Sequence, residues 1–473
     1  MTTPSQIRSF GGYRELLRIA WPLIISTGSV SLMTFCDRMF LGWYSPEAFR
    51  AAVPAGILTF TMLCGFTALA SYSSTFVAQY FGANEYKKCA ESTMQGIWIS
   101  LLSWPLILLL IPVGLFILKM SGHGAVVFEQ ERIYFGILML GSLAQVLTAA
   151  ISGFFSGRGD TITVMWANVL GNSINIGLDY ILIFGKCGFP EKGIAGAATA
   201  TVIASWTIPL IMLSIFFSKR IDRKFSTRSA WRWNALLMKK IVRYGGPSGI
   251  HLFLDLASFS LFVLLLGRQG EVSAIAGNMV LSINLFAMMP LIGLGIATSI
   301  MVGQYMGAGQ PDWAERSGWM ALKAGCAYIA VIAATFVLFP HFYVQMFASK
   351  SGSGVALSPE VFELCRTLLI LLVGWGFMDA ANFILSGALK GAGDTHFVMV
   401  FHNSVAWGFF ALGELLLVLV FQVGPIVAWT WCLIYITIIG LGFGLRFKSG
   451  RWKSIDILDR RTPIEDIRIP VEH

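Results

Sequence analysis

The chain has 473 residues, of which 56% are apolar and only 12% charged, and its mean hydropathy is positive. That balance excludes an ordinary soluble domain, where about a quarter of residues are charged. The formal charge of +9 would suit nucleic acid, but the basic residues sit in loops between apolar runs, where positive-inside topology accounts for them; no nucleic-acid partner is expected.

Residues 1–12 are polar and lead directly into a hydrophobic run without a small-residue cleavage site, so no cleaved signal peptide is expected. Apolar spans follow at Arg18–Leu41, Ala52–Ala78, Met94–Lys119, Ile133–Ser152, Ile162–Phe184 and Ile194–Phe217. A second set covers Val242–Leu266, Asn278–Val302, Ser317–Phe347, Thr367–Leu389, Phe397–Phe421 and Pro425–Phe447. Each run is long enough to cross a hydrocarbon core about 30 Å thick. The expected fold class is an all-α polytopic membrane protein with twelve transmembrane helices in two six-helix lobes. The lobes are 1–217 and 241–447, joined by a basic linker, 218–240, and followed by a tail, 448–473.

The linker carries Lys219, Arg220, Arg223, Lys224, Arg228, Arg232, Lys239 and Lys240. With it on the cytoplasmic side, most Lys and Arg residues fall on that side too, which predicts an inner (plasma) membrane protein with both termini cytoplasmic. Seven scattered cysteines lack ligand spacing and read as mostly buried free thiols. There is no GxxxxGK[ST] phosphate loop.

The halves repeat each other. Val77-Ala-Gln-Tyr-Phe-Gly-Ala83 returns as Val302-Gly-Gln-Tyr-Met-Gly-Ala308. Ser152-Gly-Phe-Phe-Ser-Gly-Arg-Gly-Asp-Thr161 returns as Ser386-Gly-Ala-Leu-Lys-Gly-Ala-Gly-Asp-Thr395. Six helices separate the copies, so both halves keep one membrane orientation, a parallel pseudo-two-fold repeat of the kind found in secondary transporters. The glycine-rich second motif lacks the lysine and strand–helix context of a nucleotide loop and reads as a tight turn.

The fifth span holds a polar ladder, Asn168, Asn172, Asn175 and Asp179. At about 100° per residue these positions share one helix face within roughly 60°. Polar side chains in lipid turn towards a bundle interior, and an intramembrane acid is a functional-site hypothesis. Asp37 in the first span reaches a similar depth. Two such acids can share a small cation or hold a proton. Ser248, His251, Asp255 and Ser258 form a second one-sided stripe, and Asp379, Asn382 and Ser386 a third. Arg38 either snorkels or forms a gating salt bridge, His251 and His402 pack or relay protons, and Glu414 has no assigned role. Nothing resembles a clustered catalytic or metal motif, so no enzyme and no cofactor are expected.

In their order and duplication, Phe35-Cys-Asp37, Leu41-Gly42, the two QY[FM]GA motifs, Gly157-Arg-Gly-Asp-Thr161, Asn175-Ile-Gly-Leu-Asp179, Gly193-Ile-Ala-Gly-Ala-Ala-Thr-Ala-Thr201 and Gly246-Pro-Ser-Gly249 resemble the multidrug and toxic compound extrusion (MATE) family. The resemblance is greatest to the branch that includes the bacterial norfloxacin exporters. It implies a monomeric antiporter in the lipid bilayer that exports amphipathic organic cations in exchange for Na⁺ or H⁺. It also implies a cation site at Asp37, Asn175, Asp179 and Thr201, an acidic site at Asp255 and Asp379 with Trp375 beside it, and a hinge at Pro22. Asp255 stands where that branch usually has Glu, and Trp375 where an aromatic hydroxyl can occur. A lipid-linked oligosaccharide flippase of the same superfamily is the alternative, and would favour an arginine-rich cleft.

Overall fold

The computed structural model describes residues 12–348 and 358–459; most of the polar N-terminal segment, residues 1–11, and the tail beyond Asp459 lie outside these. Among the described residues, ten helices are each long and apolar enough to cross a membrane. They are α1 (Tyr13–Tyr44), α2 (Pro46–Gly82), α3 (Tyr86–Leu109), α6 (Gly193–Phe216), α7 (Ala235–Gln269), α8 (Glu271–Gly307), α9 (Pro311–Leu338), α10 (Pro359–Ala392), α11 (Thr395–Val420) and α12 (Pro425–Lys448). A pair bent by 40°, Ala125–Leu140 and Leu143–Gly157, forms α4. The twelfth is α5 (Thr161–Phe184, 24 residues), about 36 Å long. Its three amides and one acid lower its hydropathy below the rest, so its polar ladder is why it stands apart.

Local chemistry sets the ends of these helices. Asp160 caps α5 through the Thr163 N–H, and Gly185 stops it at φ +64°. Asn234 caps α7, and Ser358 caps α10 ahead of Pro359. Gly159 (φ +84°) and Gly393 (φ +101°) turn the two copies of the glycine motif, which are tight turns. The linker is ordered: Lys219–Phe225 is a short helix, Gln95 donates to the Arg232 carbonyl at 3.1 Å, and Trp98 packs on Trp231 and Trp233. Beyond α12, Lys453 bonds Asp312 and Glu315 at 2.8 and 2.6 Å, which holds its ammonium above the usual range.

Among the described residues two large apolar cores form, one mainly from each half, and the first helix of each half crosses over. Leu16, Ile19, Ala20 and Leu23 of α1 pack in the core of the second half. Leu237, Met238 and Ile241 of α7 pack in that of the first. In lipid, burying apolar surface gives little net drive, so close approach of small residues matters more. Gly387 and Gly391 of α10 are set so close to the Gly295 and Ser299 carbonyls of α8 that a methyl group at either would collide. The cysteines carry no disulfide; four are buried, but Cys187 is exposed.

Candidate functional site

In the first half, α1, α4, α5 and α6 bring five polar side chains together. Asp37 and Asp179 are both buried and are electrostatic neighbours. Tyr134 of α4 donates its hydroxyl to Asp37 Oδ2 at 3.3 Å. Asn175 links Asp179 to Thr201: its nitrogen donates to Asp179 Oδ2 at 2.9 Å and its oxygen accepts the Thr201 N–H at 3.2 Å. Asp37 Oδ1 and Asp179 Oδ1 are buried with no hydrogen-bond partner. A buried carboxylate oxygen without a hydrogen-bond partner is costly unless a proton or a cation meets it.

The other rungs of the ladder behave differently. Asn168 donates to the Val164 carbonyl of its own helix at 2.9 Å, whereas Asn172 bridges to Ser29 of α1 at 2.8 Å. Arg38 is exposed and forms no ion pair among the described residues. Pro22 lies inside α1, which runs unbroken through it.

In the second half the three singled-out residues separate into two places. Asp255 Oδ1 meets His402 Nε2 at 2.8 Å, and Tyr435 reaches the same nitrogen at 3.1 Å. His251 stacks edge-on against His402 at 4.5 Å. Asp379 accepts from Trp375 Nε1 at 2.8 Å and faces a small crevice beside Asn284, Met288 and Phe336. Glu414 is buried with neither oxygen paired, between two π-helical stretches, Ala406–Ala411 and Leu416–Val420.

Between the halves lies a cavity of about 450 Å³, large enough for a drug-sized molecule. Hydroxyls from α1, α2, α4, α7, α8 and α10 line it. Asp255, Asp379 and Trp375 are not among its lining residues, and its one charged lining side chain among the described residues is Lys390. Next to it the repeated motifs cross. Gln79 donates to the Gly391 carbonyl at 3.0 Å, and Gln304 donates to the Gly157 carbonyl at 2.8 Å. A methyl group on Gly82 would strike the Gln304 carbonyl, and one on Gly307 the Gln79 carbonyl. The halves are therefore latched at the end that carries the linker.

Sequence reasoning missed Tyr134, Tyr435 and Lys390. The first two come from distant helices and leave no periodic signal. Lys390 did leave one: the second copy of the glycine motif has lysine where the first has Ser156.

The chain is 25% identical over 455 residues to the Probable multidrug resistance protein NorM of Thermotoga maritima, covering 94% of each chain. It is 27% identical over 399 residues to the Multidrug resistance protein PmpM of Pseudomonas aeruginosa, covering 84% of this chain and 82% of that one. A solved outward-facing conformation of a multidrug resistance MATE family transporter of the MOP superfamily superposes with a TM-score of 0.83 at 19% identity, over 95% of this chain and all of the other. The MatE family model matches residues 22–181 and 247–407, more than half of the sequence, and with its twelve-helix, two-lobed multi-pass fold the chain belongs to the MatE family.

Proposed function

We propose that the protein is an antiporter that exports amphipathic organic cations and other amphipathic drugs in exchange for Na⁺ or H⁺, with the linker and both termini in the cytoplasm. The observation that carries the reading is the pair of unpartnered oxygens, Asp37 Oδ1 and Asp179 Oδ1, in one buried cluster. The cluster offers carboxylate, amide and hydroxyl oxygens to a hard cation, or a proton neutralises one acid. Binding of the driving ion there biases the halves between access states. Tyr134 positions Asp37, and Pro22, about four turns before Asp37 in α1 and lacking a backbone N–H, supplies the hinge.

In the second half, Asp255 with His402, and Asp379 with Trp375, form a separate acidic region that favours positive charge. A flippase for lipid-linked oligosaccharides would need arginines to hold a pyrophosphate, and the cavity lining has none among the described residues. Purified protein in proteoliposomes with independently imposed Na⁺ and pH gradients tests the assignment. One gradient should drive uptake of an amphipathic cation, and Asp37→Asn should abolish that uptake while leaving the protein folded. Full coupled transport by Asp37→Asn would refute the ion site.

A further inference from the structure

We propose that Lys390 is an anion-binding residue of the central cavity, and that the transported compounds include amphiphiles seated there through a carboxylate. The inference rests on the export reading and narrows its substrate class. The cavity is lined by apolar side chains, hydroxyls and this one ammonium, a composition that suits an apolar body bearing a negative group.

Lys390 forms no ion pair with a carboxylate among the described residues. Its Nζ lies 3.4 Å from His251 Nδ1, and Asp255, the acid that acts on it electrostatically, has Oδ1 engaged by His402 at 2.8 Å. A partly buried cation with no carboxylate partner is costly. A ligand carboxylate would relieve that cost each time the cavity fills, with a charge-assisted hydrogen bond as the gain. The lysine is not required by the turn itself, because the first copy of the motif makes the same turn with Ser156 in its place. Ser156 also lines the cavity, so the two repeats present a hydroxyl and an ammonium across one space.

The position also couples occupancy to the latch. The Lys390 carbonyl accepts from the Tyr72 hydroxyl of the other half at 3.1 Å. The next carbonyl, of Gly391, accepts from Gln79. A carboxylate drawn to Nζ therefore sits one residue from two bonds that join the halves.

The test uses full-length protein and two probes that differ in one group, a xanthylium dye bearing a free carboxylate and its methyl ester. Binding is read by fluorescence anisotropy. The parent protein should bind the acid more tightly than the ester. Lys390→Gln should weaken the acid roughly tenfold or more relative to the ester, the loss expected of one charge-assisted hydrogen bond. Lys390→Arg should keep the preference for the acid. A parent protein that binds the ester as tightly as the acid overturns the proposal, whether or not the glutamine variant folds. So does a Lys390→Gln effect equal on both dyes. Failure of the export reading shows separately, as absence of gradient-driven uptake of either dye into proteoliposomes, and leaves the binding comparison intact.

Discussion

Replacing Gln79 and Gln304 together by alanine should release the latch at the linker end. Each glutamine makes a side-chain hydrogen bond to a carbonyl of the opposite half, at 3.0 Å for Gln79 and 2.8 Å for Gln304. Both acceptors, Gly391 and Gly157, lie in the last turn of a helix, where carbonyls have no intrahelical donor to fall back on. Each lost bond is worth about 0.5–1.5 kcal/mol. The pair therefore amounts to roughly 1–3 kcal/mol, which moves the ratio of open to closed forms by about 5–150-fold. The two sites share one interface, so the double variant is expected to deviate from the sum of the singles. Spin labels at the exposed positions Lys87 and Gln310, one in each half, would report the separation by pulsed electron paramagnetic resonance. A second, longer distance should appear or grow in the double variant. A distribution identical to the parent's would refute the latch.

Arg446→Ala should destabilise the fold by on the order of 3 kcal/mol, because Asp394, which Arg446 holds at 2.7 Å, is almost fully buried; thermal unfolding in detergent reads it, and adding Asp394→Ala should recover much of the loss. Glu414→Leu should raise the unfolding temperature, since it removes two buried, unpaired oxygens that cost about 1–3 kcal/mol. A lower unfolding temperature would show that the carboxyl group has a partner.

The polar ladder was legible because helical periodicity places Asn175 and Asp179 on one face with no tertiary information, and their burial follows. Tyr134 was not, since its hydroxyl matters only once α4 lies beside α1. Reading apolar runs measures membrane thickness rather than the continuity of backbone bonds. Hence α7 begins at Ala235 rather than Val242, carrying Lys239, Lys240 and Arg243 in its first turns. The ninth span, expected to reach Phe347, instead breaks at Phe339, where Pro340 lacks the N–H to continue it and starts a second helix, Pro340–Ala348. The third breaks at Leu110 ahead of Pro112. Asp160 pairs with Arg158 of its own motif at 2.5 Å. In the other copy Ala392 replaces that arginine, and Asp394 finds Arg446 of α12 instead, a substitute only the folded chain reveals.

The crossing of Gln79 with Gly391 and of Gln304 with Gly157 also bears on how the duplicated gene can change. Each copy of the first motif is fitted to the other half's copy of the second, and Gly82 and Gly307 each press on a backbone group of the opposite copy. A bulkier residue at either glycine could be accommodated only by a compensating change in the opposite half of the chain. Inheritance therefore has to treat two distant stretches as one unit, and swapping a single half between relatives should fail at this seam even where each half folds well alone.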